Sequence, residues 1–359
     1  MFLAARDLFF AKGRFALMGT VIIMITLLLV MLTGLTGGLG KQNTALLQSL
    51  GADRLVFSDN QVSFTDSAVT QADLESWQEA SGITSAQPVG LTQTKVEGKQ
   101  SVAAALAGIP QDSDLLRKSV GSAADGSEEL DANSLVVGKK IADEAGLSVG
   151  DKVKVGGIEF TVSGITADTF YSHLPVAWVS TANWQALSRV QNQDIVGTVL
   201  AVTGQADFDR LSTQTKTRAV TLKDAFAGLP AYKSEQGSLL TMQGFLYGIS
   251  ALVTISFLTV WTIQRTRDIA VLRALGASTR YLLTDSLVQA GIILFAGSAL
   301  GALLGWALGL FAQKGVPFDL SLLTVAAPAT GIFVLGIIGA FFAVARVRKT
   351  DPLLALGGN

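Results

Sequence analysis

Four apolar runs, at 15–39, 239–263, 281–311 and 322–344, punctuate the chain. Each reaches or passes the roughly 20 residues that a hydrocarbon core requires, so each predicts a transmembrane helix. The third is long enough to tilt strongly or to project beyond the bilayer. Between the first and second runs lies a segment of a different kind, 40–238, in which apolar and polar residues alternate over short stretches. That segment is large enough to bury a core of its own. The remaining pieces are short: a leader at 1–14, a charged connection at 264–280, a loop at 312–321 and a tail at 345–359.

The 40–238 segment predicts a mixed domain. ADRLVFS reads as a strand, and TQADLESWQEAS reads as a helix opened by Thr70 with Asp73 in its first turn. β-Formers follow at Thr92 to Val96 and Ser101 to Ile109, then a Ser, Gly and Asp-rich loop from Asp112 to Asn133. Residues 134–165 read as strand, short helix and a hairpin turning at Gly156-Gly157. A strand at Val176 to Ser180, a helix at Thr181 to Leu187, a strand at Thr198 to Thr203 and a helix at Ala206 to Lys216 complete the pattern. The fold class is an α-helical membrane protein with four transmembrane helices and an α+β extracytoplasmic domain inserted between helices 1 and 2. Within that domain Phe170, Tyr171, His173, Pro175 and Trp178 cluster in sequence, as a core filler or a substrate-contacting loop.

Charge sets the orientation. Arg6, Lys12 and Arg14 precede the first run, four arginines lie between Arg265 and Arg280, and Arg346, Arg348 and Lys349 follow the fourth, whereas the 312–321 loop has only Lys314 as a base. The positive-inside rule therefore places both termini and the 264–280 connection in the cytoplasm of a multi-pass plasma-membrane protein, with 40–238 outside. The leader, with Phe2, Leu3, Phe9 and Phe10 near Arg6 and Lys12, reads equally as an amphipathic interfacial helix or an extension of the first span.

Composition agrees with a membrane class: 49% hydrophobic and only 15% charged residues, against about 25% charged in soluble proteins. A net charge of −1 gives no basic surface for nucleic acid. There is no cysteine and only one histidine, His173, so no hydrolytic or intrinsic metal constellation is expected and no cofactor is bound permanently.

The connection RTRDIAVLRALGAS carries Ile269, Leu272 and Leu275 at helical spacing, with Arg265, Arg267, Asp268 and Arg273 outward or flanking and Gly276 as its stop. This segment, the following GSALGALLGWALG, the hairpin LSVGDKVKVGGIEFTVSGI and the terminal ARVRKTDPLLAL together resemble the FtsX-like and MacB-like permeases of type VII ABC transporters. The resemblance implies a second copy of the chain and two copies of a separate ABC ATPase that holds Mg-ATP. It also implies that Arg265, Arg267, Asp268, Leu272, Arg273 and Leu275 form the ATPase coupling helix. The sequence agrees in lacking a phosphate loop: Gly40-Lys41 and Gly138-Lys139 have neither the leading glycine nor the following hydroxyl. It departs in carrying Gln289, with Asp285 one turn before it, where relatives often have a glutamate. A buried amide there predicts a structural role, with Asp285 paired to an arginine such as Arg280 or Arg273.

Span one carries Met24, Leu28, Met31, Gly34 and Gly38 on one stripe, and span two carries Met242, Phe245, Ile249 and Leu252. Gly34 and Gly38 form a small-xxx-small pair that predicts a dimer interface. Met24, Met31, Met242, Phe245 and Tyr247 predict an apolar, polarisable substrate site in the membrane, with Lys41 and Lys233 at its outer rim. Such a site suits haem, with iron bound through Met31, Met242 or Tyr247. The overall build also resembles the haem-exporting branch of the family. The alternatives are export of a drug, lipid or peptide, mechanical control of a cell-wall hydrolase by the outer domain, and sensing by that domain.

Overall fold

The computed structural model describes residues 12–59, 61–121, 125–127, 129–188, 192–230, 232–264 and 278–347. In chain order it runs α1 (Lys12–Ser49), β1 (Arg54–Phe57), β2 (Val69–Thr70), α2 (Gln71–Gln78), β3 (Ile83–Glu97), β4 (Ser101–Ile109), α3 (Leu115–Val120) and β5 (Asp125–Gly126). There follow β6 (Ser134–Gly138), α4 (Lys139–Ala145), β7 (Lys152–Val155), β8 (Ile158–Thr166), β9 (Phe170–Tyr171), β10 (Leu174–Ser180) and α5 (Thr181–Leu187). Then come β11 (Ile195–Gly197), β12 (Val199–Gly204), α6 (Phe208–Thr215), β13 (Arg218–Val220), α7 (Leu222–Ala225), α8 (Tyr232–Gln264), α9 (Thr279–Ala312) and α10 (Leu322–Val347). Two compact units divide the chain: Met1–Gly38 with Gln236–Asn359, and Leu39–Glu235.

The first unit is a four-helix membrane bundle. α1, α8, α9 and α10 are each long and apolar enough to span a membrane. The close contacts are made at glycines. In α9 every fourth residue from Gly297 to Gly309 is glycine, which puts them on one face. A Cβ at Gly297 would lie 2.8 Å from Ile22 Cγ2, one at Gly301 2.7 Å from the Ile23 carbonyl oxygen, and one at Gly305 2.7 Å from Val30 Cγ1. α1 can approach α9 that closely only because no side chain stands between them. α10 repeats the device: Gly336 receives Leu294 of α9, Gly331 receives Tyr247 of α8, and Gly339 receives Ile255 of α8. Met18, Ile22, Leu29, Leu294 and Ile332 fill the centre.

The second unit is the α+β domain. Its main sheet follows the order β13-β1-β12-β3-β4-β10-β6-β8-β5, with β7 and β9 attached beside it and β2 paired separately with β11. β10 and β6 break the antiparallel pattern, pairing in parallel with β4 and β8 respectively. Local sequence explains the ends of its elements. Thr70 and Asp73 form a reciprocal capping box on α2, and Ser180 caps α5. Gly156 and Gly157 supply positive φ angles of 57° and 89° at the β7–β8 hairpin, as a two-residue turn of this hand requires.

Two expectations change. The first helix does not stop at residue 39: α1 continues to Ser49 because Leu46, Leu47 and Leu50 are buried in the outer-domain core with Phe57, Trp178 and Leu229. That apolar triplet reads as a loop when only membrane runs are sought. Likewise α8 starts at Tyr232, seven residues before its apolar run. The Asp112 to Asn133 loop also contains α3 and β5. The leader at 1–11 lies outside the described residues.

Candidate substrate-binding face and coupling segment

The methionine stripes fall on the uncovered side of the bundle. Met24 is 50% exposed on α1, and Met242 and Phe245 are 54% and 68% exposed on α8, with Ile249 and Leu252 continuing the same face. Met31 is half-buried. The levels of the two helices are set by one hydrogen bond: Gln243 Nε2 donates to Thr36 Oγ1 across 3.2 Å. Thr36 is five residues beyond Met31, and Met242 adjoins Gln243. At about 1.5 Å rise per residue, and with α8 running the opposite way, Met242 therefore sits roughly 9 Å further along α1 than Met31. Both belong to the same half of the bundle.

Two assignments are corrected. Tyr247 does not share the face of Phe245: two residues on a helix are about 200° apart. Its ring turns inward onto Gly331, where a Cβ would meet Tyr247 Cε1 at 2.8 Å. It packs the bundle and does not reach the exposed stripe. Gly34 and Gly38 are not free for a dimer seam either. Phe318 lies on Gly34 and the Pro317 carbonyl on Gly38, so the loop after α9 of the same chain occupies them, and the Asp319 N–H donates to Gly34 O at 2.8 Å. The small-residue pair missed by sequence reading is Gly244 and Gly248 on α8, each with no atom within 4 Å of a built Cβ. Their four-residue spacing was legible; their lack of a cover was not.

Arg265, Arg267, Asp268, Leu272, Arg273 and Leu275 lie outside the described residues. After them Ser278 caps α9, accepting from the Tyr281 N–H at 3.2 Å. About three turns beyond Ser278, Gln289 is fully buried and its Nε2 donates to Asp285 Oδ2 at 3.0 Å. This bond gives the amide a partner along its own helix.

In the outer unit Lys41 and Lys233 are exposed. The aromatic cluster divides: Trp178 and Tyr171 are core, while Phe170 is half-buried with Lys140 Nζ 5.6 Å from its ring centre. Burial pushes the Tyr171 phenol above its ordinary value, so it offers no phenolate. His173 stands apart, next to Glu235 and Asn43.

Residues 15–218 match the family model described as MacB-like periplasmic core domain, and residues 241–352 match FtsX-like permease C-terminal. The chain belongs to the FtsX/MacB-type permease family. Permeases of this family are the non-catalytic subunits of ABC-type transporters. Among curated relatives, a Staphylococcus epidermidis protein, provisionally named hemin transport system permease protein HrtB, is 24% identical over 363 residues, covering 100% of both chains. Its Staphylococcus haemolyticus namesake is 26% identical over 362 residues, covering 100% of this chain and 99% of the relative. An uncharacterized ABC transporter permease of Mycobacterium tuberculosis is 25% identical over 365 residues, with 100% and 99% covered. Among solved structures, the extracellular domain of the noncanonic ABC-type transporter YknZ is 14% identical and covers 48% of this chain and 100% of its own, with a TM-score of 0.37.

Proposed function

We propose that this permease exports an amphipathic molecule from the membrane, with haem the preferred substrate. It works as a dimer served on the cytoplasmic side by two copies of a separate ATPase. The observation that carries the reading is the uncovered apolar face of α1 and α8, where Met24, Met242 and Phe245 are half to two-thirds exposed. Thioethers beside an aromatic ring on adaptable side chains suit a flat, apolar, iron-bearing ligand. Gly244 and Gly248 leave room on α8 for a second copy. In that arrangement Met31 and Met242 of both copies line the substrate site, and Met24 extends it. The name of the staphylococcal relatives supports the same substrate.

Export requires that the ATP-bound state hold the substrate with a different affinity from the resting state. The 265–278 segment seats the permease on the ATPase and transmits that difference, with both termini on the same cytoplasmic side. The hydrolase-control reading expects an apolar docking patch on the outer domain. Among its described residues the exposed large hydrophobics are Val149 and Ile158, which supports export over docking.

The test is a haemin titration of the detergent-purified permease with its ATPase, followed in the Soret band and by ATPase rate. The expected result is a saturable shift near one haem per dimer, weakened in Met31→Ala and Met242→Ala with assembly intact. A featureless, non-saturating titration removes haem as substrate.

A further inference from the structure

The lone histidine of the chain sits in a triangle of polar atoms drawn from three elements of the outer domain. His173 Nε2, in the turn between β9 and β10, lies 3.0 Å from Glu235 Oε2 in the first turn of α8. It also lies 3.2 Å from Asn43 Nδ2 on α1. The third edge, Asn43 Nδ2 to Glu235 Oε2, is 3.3 Å.

The backbone is arranged to bring the imidazole there. Ser172 and His173 both adopt left-handed φ angles, 49° and 68°, which are uncommon for residues other than glycine. Their N–H groups donate to the carbonyls of Asn43 and Gln42 at 3.1 Å each. The turn is therefore held onto α1 by two hydrogen bonds while its histidine faces Asn43 and Glu235. Strain of this kind persists where the surroundings over-determine it, and it clusters at functional positions.

Hydrogen bonds satisfy the triangle only in part. A proton on Nε2 is donated to Glu235 Oε2, which also accepts from Asn43 Nδ2, and the Nε2–Nδ2 edge then joins two donors. Without that proton, Nε2 accepts from Asn43 and its lone pair faces the carboxylate oxygen at 3.0 Å. In addition Asn43 is 1% exposed and its Oδ1 is buried with no hydrogen-bond partner, at a cost that such groups rarely carry.

A cation offers the same three side chains a second arrangement. A half-turn of the Asn43 amide, which gives up the Nδ2 donation to Glu235, sets an imidazole nitrogen, an amide oxygen and a carboxylate oxygen around one point. Ligands about 2.1 Å from a metal stand about 3.0 Å apart when octahedral and about 3.4 Å apart when tetrahedral. The three observed edges, 3.0, 3.2 and 3.3 Å, fall in that interval. Side-chain exposures of 32% for His173 and 40% for Glu235 leave an entry path and room for water ligands.

We propose that Asn43, His173 and Glu235 form a binding site for a first-row divalent cation of the zinc type, which ties α1, the β9–β10 turn and the start of α8 together. The site does not depend on the export reading, since it uses residues outside the substrate stripe.

The experiment uses the full chain, purified in detergent through a tag free of histidine and cysteine, so that His173 is the sole imidazole. Zn²⁺ uptake is measured by equilibrium dialysis, and X-ray absorption at the zinc edge reads the ligands. The expected result is one Zn²⁺ per chain with a single imidazole in its shell. Affinity should fall at least about tenfold in His173→Asn and Glu235→Gln. His173→Asn retains a residue that tolerates left-handed φ. Asn43→Asp separates a metal site from a hydrogen-bonded latch. A carboxylate there tightens a cation site but sets two negative charges together if only hydrogen bonds hold the triangle. No saturable uptake by the wild-type chain, zinc without an imidazole ligand, or weaker binding by Asn43→Asp overturns the proposal.

Discussion

Replacing Gly301 by alanine tests the packing of the membrane bundle most directly. The added methyl would stand 2.7 Å from both the Ile23 carbonyl oxygen and Thr26 Cβ of α1. Ordinary carbon contacts lie at about 3.5–4.0 Å, so the helices must part by about 1 Å at that level. Neither neighbour can yield cheaply, since one is backbone and the other is the branch point of a buried side chain. Gly297 and Gly305 lie one turn to either side in the same contact. A gap of about 0.5–1 Å forfeits a quarter to a half of each dispersion well, and overpacking of this kind costs about 1–3 kcal/mol. Alanine's better helix propensity returns about 1 kcal/mol. The net expectation lies between no change and a loss of about 2 kcal/mol, whereas Gly237→Ala, with nothing within 4 Å, keeps the propensity gain alone. Equilibrium unfolding of both variants in mixed detergent micelles measures the difference. If Gly301→Ala is as stable as Gly237→Ala, α1 and α9 do not meet along this glycine face and the bundle described above is wrong.

Two further outcomes follow from single contacts. Gly248→Leu should leave the unfolding of the single chain unchanged, because its Cβ position is open, but should abolish self-association measured by cross-linking or mass photometry. In the outer domain, the Lys152 ammonium holds the Glu159 carboxyl below its ordinary value. Any stability from this pair is therefore present above the unfolded-state value and lost as pH falls through the lower folded one. Both groups are exposed, so Glu159→Gln should change the melting temperature by no more than about the error near neutral pH, and wild type and variant should converge as the pair is titrated with acid.

Much of the architecture was readable from residue order because its causes are local. Apolar length marks the spans, the Thr70–Asp73 capping box marks α2, and Gly156-Gly157 marks the β7–β8 hairpin. Periodicity likewise put Met242, Phe245, Ile249 and Leu252 on one face of α8, and that face is exposed. Tyr247 shares the level of Phe245 but not its face, and its ring lies on Gly331. Periodicity was silent at Asn43, a polar residue inside a helical extension whose partners lie 130 and 192 positions away. β2, β9, β11 and β13 were not foreseen, since strands of two or three residues owe their form to their neighbours.

By itself the sequence determined that this is a membrane protein with an outer α+β domain between its first two spans, that it has no phosphate loop of its own, and which family it resembles. Those features depend on counts, spacing and the cost of placing charge in hydrocarbon. Only the tertiary structure decided which small residues are already occupied. Gly34, Gly38 and Gly244 with Gly248 look alike in a sequence, yet Phe318 and Pro317 cover the first two while the pair on α8 stands open. It also decided that α1 continues into the outer domain and that Asn43, His173 and Glu235 meet there. The reason is physical: a glycine or a lone histidine takes its role from whatever the fold brings within about 4 Å of it, and that neighbour is set by the packing of distant segments.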